Sequence, residues 1–228
     1  MKIAEIFYSI QGEGMLAGMP SVFVRTSGCN LRCVWCDTPY TSWEPEGEEL
    51  SIQEILDRVR RWPAARHAVV TGGEPMLAPG IVELTGGLRD SGLHITVETA
   101  GTVFEPVACD LMSISPKLAN STPWERDGGR WAKQHERLRI QLAVLRRLMC
   151  AYTYQLKFVV ASPADLREIR NLVDQLQAPA DRVILMPEGT DREILRERGA
   201  WLAEVCKEHG FRFSPRLHIE LWGNRRAV

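Results

Sequence analysis

Three cysteines lie close together in the N-terminal part of the chain, at Cys29, Cys33 and Cys36. Their C-x3-C-x2-C spacing follows an apolar segment, residues 22–24, that we predict to be a β-strand. Three thiolates on one short loop can bind three corners of an iron–sulfur cube, whereas a closed four-iron cluster needs four protein ligands. A missing fourth ligand leaves one iron open to a small molecule, as catalytic zinc keeps an open coordination position. The spacing therefore favours an open 4Fe–4S site.

Two other interpretations of this cysteine loop stay open. A structural zinc ion could be bound by the same thiols and a distant cysteine or histidine, although zinc ribbons normally contain a second C-x2-C pair, which this chain lacks. The thiols could also coordinate nothing. The remaining cysteines, Cys109, Cys150 and Cys206, are far apart in the sequence, so we expect them to pack as small hydrophobic residues.

A Gly-Gly-Glu-Pro turn, residues 72–75, is the second motif, and it follows an apolar segment at residues 67–71. Glycines let backbone polar groups approach a zwitterionic ligand closely, and Glu74 could hold the turn or the ammonium group of that ligand. Together with the cysteine loop, and with the aromatic Trp35 before its last cysteine, this turn resembles the radical S-adenosylmethionine (SAM) enzymes. In that superfamily SAM binds the fourth iron through its amino and carboxylate groups.

Within this superfamily, motifs along the whole chain are similar to those of the 7-carboxy-7-deazaguanine synthases. These motifs occupy residues 5–14, 28–40, 71–75, 98–102, 115–118, 217–218 and 222–226. Residues 119–154 match no motif, and we expect a helical insertion there. The resemblance implies a single radical-SAM domain over residues 1–228, folded as a partial (β/α) barrel of about six mostly parallel strands.

The resemblance also implies a reaction, the conversion of 6-carboxy-5,6,7,8-tetrahydropterin to 7-carboxy-7-deazaguanine with loss of ammonia, in queuosine and 7-deazapurine biosynthesis. In this family, reductive cleavage of SAM yields a 5′-deoxyadenosyl radical that abstracts hydrogen from C6 of the substrate, and SAM is regenerated afterwards. The same resemblance implies Mg²⁺ as a further cofactor, a homodimer, and a reducing partner such as a flavodoxin or ferredoxin.

Seven residues match the family's substrate-binding positions. They are Ile10, Gln11, Gly12, Glu13, Arg25, Thr71 and His218. An amide and a carboxylate at Gln11 and Glu13 could bind the amino and N–H groups of the pterin edge, although a solvated turn would also place them there. Arg25 suits a substrate carboxylate, and a buried salt bridge to protein is the alternative. His218 could equally be a hydrogen-bonded core residue.

For SAM, the resemblance points to the cysteine loop, the two-glycine turn and two later strand ends. The residues are Trp35, Cys36, Asp37, Gly73, Ser115, Pro116, Lys117, Met186, Pro187, Glu188 and Gly189. Without the family, Ser115 and Lys117 would indicate a polar rim of the barrel. Thr38 corresponds to a threonine that binds Mg²⁺ in the family, whereas its position before Pro39 would otherwise indicate only a turn.

Two other functions compete with this one. A glycyl-radical activating enzyme shares the cysteine loop and the Gly-Gly-Glu-Pro turn, but it would act on a protein partner and would not need residues 10–13 or the region of His218. A non-catalytic zinc or iron–sulfur binding module belongs to a different class, and it would be distinguished by zinc at one per chain and no iron.

The motifs must be positioned by an α/β framework, because short apolar segments alternate with amphipathic helical stretches along most of the chain. Near-continuous apolar segments are typical of parallel strands covered by helices. The carboxyl ends of parallel strands meet at one edge, and the polar motifs follow predicted strands, so we expect them together at that edge. The predicted strands are residues 22–24, 67–71, 94–98, 111–115, 155–160 and 182–186.

Helix boundaries are marked by capping residues. A capping box at residues 51–54 should begin one helix, and the Ser-Pro pair at residues 162–163 should begin another. Thr190 with Glu193 should begin the last long helix, which Gly210 should end. Apolar residues recur with helical spacing over residues 131–149, and we expect the arginines between them to form a solvated face rather than a nucleic-acid patch.

Composition excludes several classes of protein. With 28 basic and 29 acidic side chains, the net charge of −1 produces no field that would favour nucleic acid or an anionic membrane. Hydrophobic residues make up 45% of the chain, so intrinsic disorder is not expected. No apolar segment approaches the length of about 20 residues that a membrane span needs, and the first residues do not resemble a signal peptide. We therefore expect a cytoplasmic location.

Overall fold

Nine β-strands form one sheet in the computed structural model, which describes residues 1–228. They are β1 (Lys2–Ile10), β2 (Pro20–Thr26), β3 (Glu48–Glu49), β4 (His67–Gly72), β5 (His94–Thr99), β6 (Leu111–Ile114), β7 (Tyr154–Val160), β8 (Val183–Pro187) and β9 (Arg212–Phe213). The order across the sheet is β3-β1-β2-β4-β5-β6-β7-β8-β9. Each pair from β2 to β9 is parallel, whereas β1 is antiparallel to both β2 and β3.

This topology confirms the predicted α/β fold, since all six predicted strands are present as parallel neighbours. The outermost strands, β3 and β9, do not pair with each other, so the barrel is partial. Strand β1 was not among the predicted strands. Its charged and polar residues interrupt the apolar pattern, because it lies towards the antiparallel edge and most of its residues are only partly buried.

Eight α-helices accompany the sheet. They are α1 (Pro39–Ser42), α2 (Ile52–Val59), α3 (Ile81–Asp90), α4 (Ala132–Leu138), α5 (Leu142–Ala151), α6 (Asp165–Leu176), α7 (Arg192–His209) and α8 (Leu217–Trp222). None of them has the length and the apolar composition that crossing a membrane requires.

The capping predictions were partly correct. Ser51 and Glu54 form the predicted capping box at the start of α2, and Gly210 ends α7 with a left-handed φ of 68°. The start of α7 was wrongly assigned to Thr190, because the neighbouring Asp191 accepts the free backbone N–H groups instead. The prediction for residues 162–163 was also wrong by a few residues, since α6 begins at Asp165.

The single helix predicted over residues 131–149 is wrong, because the chain forms α4 and α5 with a break at residues 139–141. Gln141 has non-helical backbone angles, φ −121° and ψ 82°. Its side-chain amide donates hydrogen bonds to the carbonyl oxygens of Arg137 and Leu138, which would otherwise lack partners at the end of α4. The glutamine side chain therefore stabilises the end of one helix just before the next begins.

Side chains of the parallel strands alternate between two environments. Residues such as Val24, Val70, Val97 and Phe158 face the helices and belong to the main hydrophobic core. Their neighbours along each strand face the concave side of the sheet, as expected from the period of two in a β-strand. The concave side carries the polar residues at its carboxyl edge, and the site described below lies there.

Candidate active site

A cavity of about 710 Å³ opens at the carboxyl edge of the parallel strands. This volume lies within the range of ligand pockets, about 300–1,000 Å³. Nearly all of the predicted site residues line it. These are Ile10, Gln11, Gly12, Glu13, Arg25, Cys29, Cys33, Trp35, Cys36, Asp37, Thr38, Thr71, Gly73, Ser115, Lys117, Met186, Glu188, Gly189 and His218. Two of the residues assigned to SAM, Pro116 and Pro187, do not line the cavity.

The cysteine loop forms one end of this cavity. Cys29, Cys33 and Cys36 are free thiols, and all three line the cavity wall. Burial raises the pKa of Cys29 and of Cys33 to about 12, so both thiols are neutral until a bound cation stabilises the thiolates.

The arrangement of the three thiols distinguishes between metal centres. No group of three or more His, Cys, Asp or Glu side chains is placed to hold a single metal ion. A structural zinc site needs four such ligands around one ion, whereas a cluster takes one thiolate on each of several irons. Three free thiols that line one cavity therefore fit an open iron–sulfur cluster better than they fit zinc.

The Gly-Gly-Glu-Pro turn packs directly against the start of the cysteine loop. A β-carbon at Gly73 would overlap the carbonyl group of Gly28, so the close approach of the two backbones requires glycine. The backbone N–H of Glu74 donates to that same carbonyl oxygen at 2.9 Å. The turn thus fixes the segment from which Cys29 projects.

Glu74 holds the turn and does not face a ligand. Its carboxylate accepts hydrogen bonds from the Thr99 hydroxyl (2.7 Å) and from the backbone N–H groups of Ala100 (2.8 Å) and Met76 (3.2 Å). It is 1% exposed and is not part of the cavity wall. Of its two predicted roles, the structure supports the one in which Glu74 holds the turn.

Lys117 lies at the side of the cavity next to the cysteine loop. Its ammonium donates to the carbonyl (2.9 Å) and the hydroxyl (2.8 Å) of Ser115, and it lies 6.0 Å from the centre of the Trp35 ring. The Trp35 indole N–H donates to the backbone carbonyl of Asn120 at 3.1 Å. A cation and an aromatic ring are therefore held in place where a nucleoside or carboxylate could bind.

Polar residues of neighbouring elements meet at a second part of the cavity, here called the charged end. Glu98, on β5, accepts a hydrogen bond from the Gln11 side-chain amide (3.1 Å) and another from the Thr71 hydroxyl (2.8 Å). Gln11 in turn accepts the backbone N–H of Glu13 at 3.2 Å. The residues after β1 are thus fixed against the sheet and do not form the solvated turn that was the alternative.

Glu13 lies inside a chain of alternating charges. Its carboxylate contacts the Lys157 ammonium at 2.5 Å and the Arg216 guanidinium at 3.1 Å, and Arg216 also bonds to Asp37. Burial alone would raise the pKa of Glu13, but the two cations together hold that pKa far below its ordinary value. Glu13 is therefore ionised, and the chain of charges connects the segment after β1 to Asp37, the residue that follows Cys36.

His218 approaches Gly12 so closely that any larger residue at this position would displace the imidazole. A β-carbon at Gly12 would overlap the imidazole Nδ1 atom, and the Gly12 carbonyl accepts the backbone N–H of Leu217 at 2.9 Å. Burial lowers the pKa of His218, so the ring is neutral at physiological pH. The histidine lines the cavity and is not a core residue.

Arg25 makes the salt bridge to protein that was the alternative to a substrate contact, and its side chain also lines the cavity. Its Nε atom donates to the Glu5 carboxylate at 2.6 Å, and Glu5 also accepts the Tyr40 hydroxyl at 2.7 Å. No other hydrogen bond involves the guanidinium, which lines the cavity. The salt bridge orients the side chain and leaves two NH₂ groups available for a bidentate contact with a carboxylate.

Three residues of the site, Glu98, Lys157 and Arg216, were not predicted. Lys157 could have been predicted from the sequence. It is a lone lysine within the apolar strand sequence YQLKFVV, and a buried lysine needs a charged or polar partner. Glu98 ends a predicted strand, which indicated its position but not its partners. Arg216 follows none of the predicted strands, and only the folded chain places it near Glu13 and Asp37.

Comparison with known proteins identifies relatives across the full length of the chain. The family model described as the Radical SAM superfamily matches residues 23–117. The 7-carboxy-7-deazaguanine synthase of Halobacterium salinarum is 47% identical, covering 98% of this chain and 91% of the relative. The 7-carboxy-7-deazaguanine synthase of Rhodopirellula baltica is 48% identical, covering 99% of this chain and 88% of the relative.

A solved structure is similar over nearly the same extent. The crystal structure of QueE from Escherichia coli superposes with a TM-score of 0.68 and 26% sequence identity, covering 95% of this chain and 94% of the other. The likeness therefore extends over nearly the whole length of both chains.

Proposed function

The chain belongs to the 7-carboxy-7-deazaguanine synthases of the radical SAM superfamily, and we propose that it performs their ring contraction with the residues described above. The reaction converts 6-carboxy-5,6,7,8-tetrahydropterin to 7-carboxy-7-deazaguanine and ammonia, a step of queuosine and 7-deazapurine biosynthesis. One observation carries the proposal. A single cavity is lined by three free thiols, by the two-glycine turn and by polar side chains that could contact a pterin.

The conversion is redox-neutral, because the product and ammonia together have the composition of the substrate. A bound 4Fe–4S cluster and SAM supply the one-electron radical chemistry that starts such a rearrangement. The protein has to bind both groups, orient the pterin and exclude water. The division of the cavity into a thiol end and a charged end suits that task.

Cys29, Cys33 and Cys36 are the residues that would bind the cluster, since all three thiols face the cavity and lack covalent partners. We assign SAM to the adjoining wall. Trp35, Gly73, Ser115 and Lys117 lie there, together with Met186, Glu188 and Gly189 after β8. Lys117 is placed to bind a carboxylate or ribose oxygen, and Gly73 allows backbone contact with the amino acid portion.

The pterin is assigned to the charged end. Arg25 offers its two free NH₂ groups to the substrate carboxylate. Gln11, Glu13 and His218 face the same space and supply donors and acceptors for the pyrimidine edge. Because Glu13 is ionised, it is suited to accept hydrogen bonds from an amino group and a ring N–H.

Mg²⁺ is assigned to Thr38. Its hydroxyl lines the cavity beside the cysteine loop, 3.3 Å from the Thr41 hydroxyl and 3.8 Å from the Cys36 sulfur. A single hydroxyl is a weak site by itself, so the substrate carboxylate and water would complete the oxygen coordination. Binding of Mg²⁺ should therefore depend on the presence of substrate.

The remaining assignments concern the assembly and its surroundings. We propose one catalytic domain over residues 1–228, a homodimer in the cytoplasm, and reduction by a flavodoxin or ferredoxin. Exposed apolar side chains at Tyr8, Leu221 and Trp222 support a contact between two copies. Gel filtration with light scattering measures the mass, and a monomer at micromolar concentration would contradict the dimer.

The decisive experiment is an anaerobic assay of the reconstituted protein with SAM, a reductant and 6-carboxy-5,6,7,8-tetrahydropterin. We expect 7-carboxy-7-deazaguanine in the mass spectrum with SAM largely unspent. Cleavage of SAM to 5′-deoxyadenosine without this product would keep the superfamily and refute the substrate. Modification of a protein partner would instead support a glycyl-radical activating enzyme, and zinc at one per chain without iron would support a binding module.

A further inference from the structure

Residues 119–138 have no role in the assignments above, yet several of them contact the cysteine loop. The Ser121 carbonyl accepts the backbone N–H of Val34 at 2.8 Å, and the Asn120 carbonyl accepts the Trp35 indole N–H at 3.1 Å. Arg126 donates to the Val34 carbonyl at 3.0 Å. Part of the region that matched no motif therefore contacts both residues that lie between Cys33 and Cys36.

His135, on α4, makes the most deeply buried of these contacts. The residue is 1% exposed, and its Nδ1 atom accepts the backbone N–H of Arg32 at 3.1 Å. Its Nε2 atom lies 2.8 Å from the hydroxyl of Ser121, which is fully buried. Both ring nitrogens are thus hydrogen-bonded, one of them to the residue directly before Cys33.

The hydrogen bonds define one tautomer of this ring. Because Nδ1 accepts from a backbone N–H, the proton must be on Nε2, which donates to the Ser121 oxygen. The Ser121 hydroxyl is then free to donate to the Leu118 carbonyl, at 2.6 Å. Every donor in this series of hydrogen bonds has an acceptor. The series therefore joins α4 rigidly to the cysteine loop.

We propose that His135 is a positioning residue for the cluster, and that it acts by holding the backbone between Cys29 and Cys33 through the Arg32 N–H. The inference depends on the cluster assignment in the proposed function. Its physical basis is that hydrogen bonds around an iron–sulfur cluster tune its stability and potential, and that outer contacts orient the ligands themselves. An Arg32 N–H without this acceptor could turn towards a cluster sulfur or water.

Two substitutions separate the loop contact from the contact inside the segment. In His135→Asn the side-chain oxygen replaces Nδ1 and can still accept the Arg32 N–H, while the contact with Ser121 is lost. In His135→Gln the amide reaches the position of Nε2 and keeps Ser121, while the Arg32 N–H loses its acceptor. Each variant loses one buried hydrogen bond, so we expect the two variants to lose similar amounts of stability. Thermal melts of the cluster-free proteins measure whether they do.

The readouts are the rate at which an iron chelator strips the reconstituted cluster and the electron paramagnetic resonance spectrum of the reduced cluster with and without SAM. We expect His135→Gln to lose iron roughly tenfold faster than wild type, the factor that corresponds to one lost hydrogen bond to a buried donor. Its spectrum should also be altered. His135→Asn should stay within about twofold of wild type in the rate of iron loss, with an unaltered spectrum.

The outcomes that overturn the proposal are specific. Equal rates and spectra for the two variants would show that the contact with Arg32 does not matter. Ser121→Ala provides a second test if either variant fails to fold, because it leaves the Arg32 contact in place and should resemble wild type. If Ser121→Ala lost iron as fast as His135→Gln, the role of His135 would be purely structural. If wild type itself binds no cluster, the proposed function fails rather than this inference.

Discussion

The two ends of the cavity differ in their charge: the thiol end is neutral, and the charged end contains paired ions. At the thiol end, Cys29 and Cys33 are buried and neutral, and no cation of the protein is bonded to them. At the charged end, Glu13 already contacts Lys157 and Arg216. The thiol end therefore gains its charge balance from a bound group, whereas the charged end is balanced before any ligand arrives. Loss of a residue should affect binding of the cofactor at one end and positioning of the substrate at the other.

Removing a thiol should have the largest effect. Cys33→Ala leaves two thiols for a cluster that needs three, so we expect loss of the bound iron and of all product formation. Iron analysis and mass spectrometry of the product measure both. Cys150→Ala is the matched control, because Cys150 is exposed on α5 and should leave both values unchanged. Normal turnover by Cys33→Ala would refute the assignment of the thiol end.

Neutralising the central anion should have the next largest effect. Glu13→Gln leaves Lys157 and Arg216 buried without their shared partner, which costs about 3 kcal/mol for a broken buried pair. We expect that loss in urea unfolding, together with a fall in kcat/KM of roughly a hundredfold, since a buried charge pair also orients substrate.

The control for this prediction is Glu204→Gln, which removes an exposed ion pair with Lys207. It should change stability by less than about 1 kcal/mol. The iron content of Glu13→Gln should equal that of wild type, because the cysteines are untouched. Cluster loss in this variant would show that the two ends are not separable.

A smaller effect is expected from Lys157→Met. The Glu13 carboxylate keeps Arg216 as a partner, and the methionine fills most of the space within β7. We expect KM for the pterin to rise about tenfold with a smaller change in kcat, because one hydrogen bond to a charged group is lost. Steady-state kinetics separate the two constants, and Lys207→Met on the exposed face of α7 should match wild type. A fall in kcat alone would contradict the positioning role.

Mild acid should produce the smallest effect. The pKa of Glu13 lies below its ordinary value of 4.5 in the folded protein, so its contribution to stability is complete above that pH and is lost as pH falls. Asp37, whose pKa is also lowered, acts in the same direction. Between about pH 5 and pH 3 the urea midpoint of wild type should therefore fall more than that of Glu13→Gln. Parallel curves for the two proteins would exclude this contribution.

The sequence was informative where chemistry depends on neighbours along the chain. Spacing alone located the cysteine loop, and alternation of apolar segments located the parallel strands. It was uninformative about Arg216 and His135, because their partners lie far away in the sequence: Arg216 bonds to Glu13 and His135 to the Arg32 backbone. Such contacts exist only after the sheet has brought distant segments together.

The predicted helix boundaries were wrong for a related reason. The start of α7 depended on which of two adjacent polar residues, Thr190 or Asp191, bonds to the backbone, and both are acceptable by residue type. The break between α4 and α5 depended on one side chain, Gln141, bonding back to its own chain. A periodic apolar pattern carries no information about either choice.

The alternation of side chains along the strands also affects how accurately the protein can fold. A shift of one residue in the pairing of β7 would turn Lys157 towards the helices and Phe158 towards the cavity. That error would bury an unpaired ammonium group in a hydrophobic environment, which costs several kcal/mol. The polar residues on the concave side of the sheet therefore also penalise misaligned strands, so Lys157 helps the chain to select its native register.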